Sequence, residues 1–312
     1  MFIKTDTCTF TDQKNLFTYK VYFPDMEILR GTGVALVTPF TNNFEVDYEG
    51  IAKLLHFNIS EGVNYLVVNG TTAESATTTV KEKAEISAFI KEKVNGAVPI
   101  VYGLGGNNTQ QLLDQIKEID LKGITAILSV SPFYNKPTQQ GLYQHYVHIA
   151  DASPVPIILY NVPGRTASNI SAETTLRLAQ HPNIIGIKEA SGNIEQCMQI
   201  AKQKPADFML ISGDDLLTLP MITFGAEGVI SVLANAFPGK YSKMVQLGLE
   251  NKFKEAQALL FQLLDLNPLM YEESNPVGVK AVLEIFGICG PAVRLPLIEA
   301  SASLKDKLQK LL

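Results

Sequence analysis

The amino-acid sequence predicts an α/β protein built as a (β/α)8 (TIM) barrel with a helical appendage at its C-terminal end. Three observations carry that expectation. Eight short apolar runs recur between residues 33 and 232, and stretches of helical period separate them. The runs are continuous and rich in Val and Ile, which suits strands buried on both faces of a parallel sheet. The length of 312 residues exceeds the roughly 250 of a typical barrel by about one small appendage.

In chain order the runs are GVALV (33–37), YLVV (65–68), PIVYG (99–103), TAILSV (125–130), PIILY (156–160), IIGIK (184–188), FMLIS (208–212) and GVISV (228–232). Amphipathic segments such as 80–94 and 109–121 lie between them, and 239–249 completes the eighth unit. An open Rossmann sheet would need a phosphate-binding turn after the first strand, and GTGVALVTPF supplies none there. GLGGNN (103–108) matches neither the dinucleotide nor the P-loop spacing and reads as a tight barrel turn. Beyond residue 251 the pattern is helical only, enough for roughly three helices. The expected organisation is therefore a polar N-terminal extension (1–26) without ordered structure, a catalytic barrel (27–251) and a C-terminal helical region (252–312).

Composition narrows the function classes. Hydrophobic residues make up 46% and charged residues 18%, below the usual quarter, so a large core and surface buried in an oligomer are expected. The net charge of −5 and the lack of any Lys/Arg block argue against nucleic acid as a partner. The three cysteines form no CxxC pair, so neither disulfides nor a zinc site are expected, in keeping with a reducing cytosol. No apolar stretch approaches the ~20 residues that span a membrane, and the N-terminus lacks the apolar core of a secretory signal. A cytoplasmic enzyme is the expectation.

Barrel enzymes place reacting groups at the carboxyl ends of their strands. The segments found there are NGTTAES (69–75), SPFYNKP (131–137), NVPGRT (161–166) after Tyr160, Lys188 within IGIKEASG, SGDD (212–215) and GVISVLAN (228–235). Lys188 ends a buried apolar run, where loss of water favours a neutral amine able to attack a ketone. The alternative is a strand-end lysine reaching solvent. Tyr160 could be simple packing with a locally satisfied hydroxyl, or a proton shuttle for a lysine one strand over. Asp214, Asp215, Glu74 and Glu189 could suggest a divalent metal, but such sites usually want histidine, and His56, His145, His148 and His181 fall away from the strand ends. His145 and His148, one turn apart in an expected helix, read as surface residues. Asp214 and Asp215 read as caps of the helix after the seventh strand, and Lys280 as a structural helix residue.

GTTAES, PFYNKP, YNVPGRT, GIKEASG, SGDD and GVISV, in this order and spacing, closely resemble the dihydrodipicolinate synthase (4-hydroxy-tetrahydrodipicolinate synthase) family of pyruvate-dependent Schiff-base aldolases and lyases. The resemblance covers about residues 28–312. It implies a lyase of lysine and diaminopimelate biosynthesis that condenses pyruvate with L-aspartate 4-semialdehyde, without metal or organic cofactor. Residue by residue, it implies that Lys188 forms the imine and that Tyr160, Thr71 and Tyr134 relay protons, with Tyr134 reaching in from a neighbouring subunit. Thr72 and the backbone around Gly213 and Ile230 would hold pyruvate, and Arg165 the carboxylate of the semialdehyde. A homotetramer, at least a dimer, follows from the same resemblance.

Two other readings stay beside it: a sugar-acid lyase such as N-acetylneuraminate lyase or a keto-deoxy-sugar-acid aldolase, and a non-catalytic barrel that binds a ketoacid. The arginine of YNVPGRT favours the synthase over the sugar-acid enzymes, and the presence of every relay residue favours turnover over mere binding. Two departures from the family pattern stand out. Ala73 replaces the glycine of GTTGES, which would cost about 1 kcal/mol were its φ positive. In lysine-inhibited relatives an interface pocket uses a serine, an alanine, two histidines, an asparagine, a glutamate and a tyrosine. The corresponding places here hold Ser75, Ala76, Val80, Lys83, Asn107, Gln111 and Phe133, so lysine feedback is expected to be weak or absent.

Overall fold

The computed structural model describes residues 26–312. The expectation for the extension 1–26 therefore lies outside the described residues, save Met26. Strands β1 (Gly31–Ala35), β2 (Tyr65–Val68), β3 (Ile100–Gly103), β4 (Ala126–Val130), β5 (Ile157–Asn161), β6 (Ile184–Glu189), β7 (Met209–Ser212) and β8 (Gly228–Ser231) form one closed parallel barrel in sequence order. All eight apolar runs are strands.

The boundaries differ from the apolar runs by at most one residue except in the first strand, which was expected over 33–37 and lies two residues earlier. Asn235 explains it. Its Oδ1 takes the Val37 N–H at 3.1 Å and its Nδ2 donates to the Ala35 carbonyl at 2.8 Å, so a side chain captures the backbone where the ladder would have continued.

Around the barrel run α1 (Tyr48–Ser60), α2 (Val80–Val94), α3 (Thr109–Glu118), α4 (Gln139–Ala152), the single turn α5 (Pro163–Thr166), α6 (Ala172–Leu178), α7 (Ile194–Gln203), α8 (Thr218–Thr223) and α9 (Pro238–Leu249). Polar residues just before the helices set many of the starts. Asp47, Thr79, Asn108, Thr138, Ser171 and Asn193 each accept a first-turn N–H, worth about 1 kcal/mol apiece. Glu82 reciprocates on Thr79, so α2 opens on a complete capping box.

Four C-terminal helices follow where roughly three were expected: α10 (Phe253–Phe261), α11 (Leu266–Leu269), α12 (Val277–Ile285) and α13 (Ala302–Leu311). The apolar run 252–266 is not one helix, because after Phe261 the backbone tightens into three-residue turns, Leu263 N–H to Leu260 and Leu264 N–H to Phe261.

The core has two shells. An outer one lies between strands and helices, with Leu66, Ile127, Ile157, Ile187, Leu210 and Val229 facing it. An inner one fills the barrel with Tyr65, Val67, Val101, Ile158, Tyr160, Met209, Ile211 and Ile230. The period-two alternation of a strand accounts for the split. Tyr65 plugs the bore so closely that a β-carbon on Gly33 would sit 2.2 Å from its ring. The bore is thus filled with side chains, and reacting groups can gather only at its carboxyl rim.

Candidate active site

Lys188 and Tyr160 are register partners on β6 and β5, 5% and 8% exposed. The amine stands 4.4 Å from the centre of the tyrosine ring. Strand parity sends Lys188 into the bore and its neighbour Glu189 outward. There Glu189 accepts from Asn161 Nδ2 (3.0 Å), Gln196 Nε2 (2.9 Å) and the Ser191 amide (2.8 Å). Gly213, at the end of β7, must lack a side chain. A β-carbon there would lie 2.5 Å from Ala190 Cβ and 3.0 Å from Lys188 Cε. Its amide is committed to the Glu189 carbonyl at 2.8 Å. Ile230 is buried on β8, beside Gly33 of β1.

The loop after β2 brings Thr71 and Thr72 to the same rim. Thr72 is buried and its Oγ1 accepts from Asn275 Nδ2 at 3.0 Å, while Thr71 is partly exposed. The condition under which Ala73 would be strained, a positive φ, is not met. The left-handed residues of this loop are Asn69 (φ 56°) and Glu74 (φ 54°), not Ala73, whose carbonyl accepts from Thr38 Oγ1 at 2.8 Å.

Arg165 lies exposed on α5, which follows β5 directly. Tyr134 is not brought to Lys188 within one chain: it is 88% exposed, in left-handed backbone (φ 73°).

The four carboxylates considered as metal ligands from the sequence are each tied into the protein. Asp214 Oδ1 accepts the Leu216 and Leu217 amides at 3.0 and 3.1 Å, which holds the turn ahead of α8; the N-cap of α8 itself is Leu217, without a side-chain bond, so the helix cap expected of Asp214 is not formed. Asp215 does something else. Its Oδ2 accepts the Val232 and Leu233 amides at 3.1 and 3.0 Å, fastening the β7 end to the β8 end. Burial, first of all, pushes its carboxyl above the usual range. Glu74 is ion-paired with Lys280 at 2.6 Å. The expectation for His145 is also corrected. His145 is buried between α3 and α4, with Nδ1 2.8 Å from Thr109 Oγ1, whereas His148 is exposed as expected. Burial, and then the neighbouring His148, lower the His145 pKa to about 4.

The C-terminal region supplies residues that strand-end position alone does not reveal. Tyr271 directs its hydroxyl at Asp215 Oδ2 (3.4 Å). Its pKa is raised well above the usual value by burial and then by Asp215, Asp214 and Tyr160, against a smaller opposing pull from Arg165. Tyr271 is thus tied through its hydroxyl to the segment after β7, while 38% of the residue stays exposed. Asn275, just ahead of α12, reaches Thr72. Contacts across some 200 residues of chain leave no trace in local periodicity. The signal at hand was an asparagine–proline pair ahead of a helix.

An eight-stranded barrel that sinks an amine and a phenol side by side at its carboxyl rim has the arrangement of a lysine-dependent aldolase or lyase. The chain belongs to the dihydrodipicolinate synthetase family, whose model matches residues 28–312. It is 52% identical over 285 residues to the 4-hydroxy-tetrahydrodipicolinate synthase of Cytophaga hutchinsonii, covering 91% of this chain and 96% of that one. Among solved structures, it resembles the chloride-inhibited dihydrodipicolinate synthase of Acinetobacter baumannii complexed with pyruvate (TM-score 0.88, 36% identity, 90% and 97% of the two chains). It also resembles the dihydrodipicolinate synthase of Cyanidioschyzon merolae with lysine bound (TM-score 0.87, 37% identity, 91% and 97%).

Proposed function

We infer that the chain is a 4-hydroxy-tetrahydrodipicolinate synthase, a lyase that condenses pyruvate with L-aspartate 4-semialdehyde. The burial of Lys188 against Tyr160 is the observation that carries this reading. The neutral amine of Lys188 adds to the ketone carbon of pyruvate, and loss of water leaves an imine. The imine draws electrons from the methyl carbon, which gives up a proton and becomes the nucleophile that attacks the aldehyde. The amino group of the semialdehyde then displaces Lys188, closing the ring and freeing the enzyme.

Tyr160, Thr71 and Tyr134 relay protons between these steps and solvent. Thr72, with the backbone at Gly213 and Ile230, seats pyruvate. Because the Gly213 amide is already engaged, the Thr72 hydroxyl is the better donor to the pyruvate carboxylate. Arg165 takes the carboxylate of the second substrate with its planar fork. No metal or organic cofactor enters this scheme.

An exposed Tyr134 is of use only if a second subunit receives it, so the working unit is at least a dimer, and a homotetramer is proposed. No helix among the described residues is long and apolar enough to cross a membrane, and a cytoplasmic location is proposed. The division into extension, barrel (27–251) and helical region (252–312) belongs to the same proposal, with the third part completing the rim through Tyr271 and Asn275. A coupled assay offering aspartate semialdehyde, N-acetylmannosamine and glyceraldehyde beside pyruvate tests the whole. Turnover with the semialdehyde alone is expected; preference for either sugar-type aldehyde would reassign the enzyme to a sugar-acid lyase.

A further inference from the structure

Glu74 lies three residues after Thr71, in left-handed backbone that a residue with a side chain adopts at a cost. Its carboxylate is held at both oxygens. Oε1 accepts from Lys280 Nζ at 2.6 Å and Oε2 from the Arg294 amide at 2.9 Å. Both donors come from the C-terminal region, 206 and 220 residues further along the chain. Lys280 is fully buried on α12, donates also to the Ala292 carbonyl at 2.7 Å, and stands 4.3 Å from the centre of the Phe40 ring. The Arg294 guanidinium also lies on that ring at 4.2 Å, and it clamps Glu82 and the Thr77 carbonyl at the start of α2. Beside this network Asn275 donates to Thr72 Oγ1, while its own buried Oδ1 has no partner among the described residues.

An ion pair this deep is a poor device for stability alone. Removing two charges from water costs so much that a well-packed apolar pair of similar volume often does as well or better. What a buried pair does supply is one preferred arrangement, because any other leaves a charge unpaired. The loop it fixes is the one that carries Thr71 and Thr72.

We propose that Glu74, Lys280 and Asn275 are positioning residues through which the C-terminal helices set the pose of Thr71 and Thr72 at the mouth of the barrel. The inference rests on the relay and seating roles given to those two threonines above.

The full-length enzyme carrying Glu74→Gln together with Lys280→Met loses both charges at once but keeps an amide oxygen for the Arg294 N–H. Its thermal midpoint should recover most of what Lys280→Met alone loses, and borohydride should still trap pyruvate on Lys188. Its kcat should nevertheless fall about tenfold or more, since small misplacements of catalytic groups are costly. A folded double variant with wild-type kcat, beside an inactive Thr71→Val enzyme, overturns the proposal and leaves the pair as packing. Thr71→Val with wild-type kcat would instead overturn the relay reading itself. Asn275→Ala leaves the ion pair untouched and decides the matter even where the double variant does not fold. It should raise KM for pyruvate about three- to tenfold with a smaller change in kcat, the effect of one lost hydrogen bond. Unchanged KM and kcat in that variant overturn the proposal.

Discussion

The Lys188 amine stands 4.4 Å from the centre of the Tyr160 ring, on strands in direct register, and both residues are buried. An amine held against a ring face at the carboxyl end of β6 is placed to meet a ketone that enters at the rim. Incubation with pyruvate and borohydride should therefore add a reduced pyruvyl group to Lys188, with Lys188→Ala unlabelled. Mass spectrometry that places the label on another lysine, or finds none, would rule out the imine at this position.

Arg165 is exposed on the single turn that follows β5, apart from the buried amine. Arg165→Ala should leave pyruvate trapping nearly intact. It should lower kcat/KM for the semialdehyde by the worth of a charged hydrogen bond, about 1.5–3 kcal/mol, or roughly ten- to a hundredfold. An equal loss in both measurements would mean that Arg165 supports the site as a whole and does not select the second substrate.

Tyr134, 88% exposed, makes its case through mixing. Tyr134→Phe and Lys188→Ala subunits, each nearly inactive alone, should regain activity when reassembled together, because some sites then combine an intact lysine with a partner's intact tyrosine. Mixed oligomers no more active than either parent would make each barrel self-sufficient.

His145 predicts a pH dependence of stability. Its folded pKa of about 4 lies below the unfolded value of about 6.5, so the unfolded chain takes up the proton first. The stability it contributes is whole above pH ~6.5 and is lost as pH falls toward 4, on the order of 2 kcal/mol by pH 5. Thermal unfolding at pH 7 and pH 5 should show a smaller acid-side drop in His145→Gln than in the wild type. Equal drops would show that the imidazole stays neutral in both states or charged in both.

The barrel was legible because a parallel sheet covered on both faces needs continuous apolar strands, and Ile184–Ile187 or Ile157–Leu159 can hardly be read otherwise. Lys188 and Tyr160 were legible as strand-end polar residues, but position alone left packing open, and the family motifs supplied the rest. What escaped was long-range. Lys280 in VGVKAVLEI looks like any helical lysine until α12 is folded against Glu74, and His145 looks superficial until Thr109 of α3 covers it. Asp214 and Asp215 read alike as helix caps in sequence, and only the approach of β8 shows where the Asp215 carboxylate goes. Such partners are chosen by tertiary packing, which a local window does not contain.

Feedback by lysine is expected to be weak or absent in this enzyme. The residues at the positions of the lysine pocket gather around α2 and the β3–α3 and β4–α4 loops. Asn107 Nδ2 donates to the Phe133 carbonyl at 3.2 Å, and Gln111 lies in the first turn of α3. Gln111 lacks the carboxylate that would pair with the effector's α-ammonium, and Phe133 lacks the hydroxyl near its carboxylate. Val80 is 73% exposed and offers no polar contact. Lys83 is partly buried, and that burial lowers its pKa, yet an amine there still places a like group against an incoming ammonium. Each lost charged hydrogen bond is worth about 1.5–3 kcal/mol, so losing one or two weakens binding roughly ten- to ten-thousandfold. Titration of L-lysine into the assay should leave the present enzyme unaffected, or nearly so, at millimolar concentrations. Gln111→Glu with Phe133→Tyr should restore part of the response. Half-inhibition of the unaltered enzyme below about 1 mM, equivalent to roughly −4 kcal/mol of binding, would show that other residues rebuild the pocket.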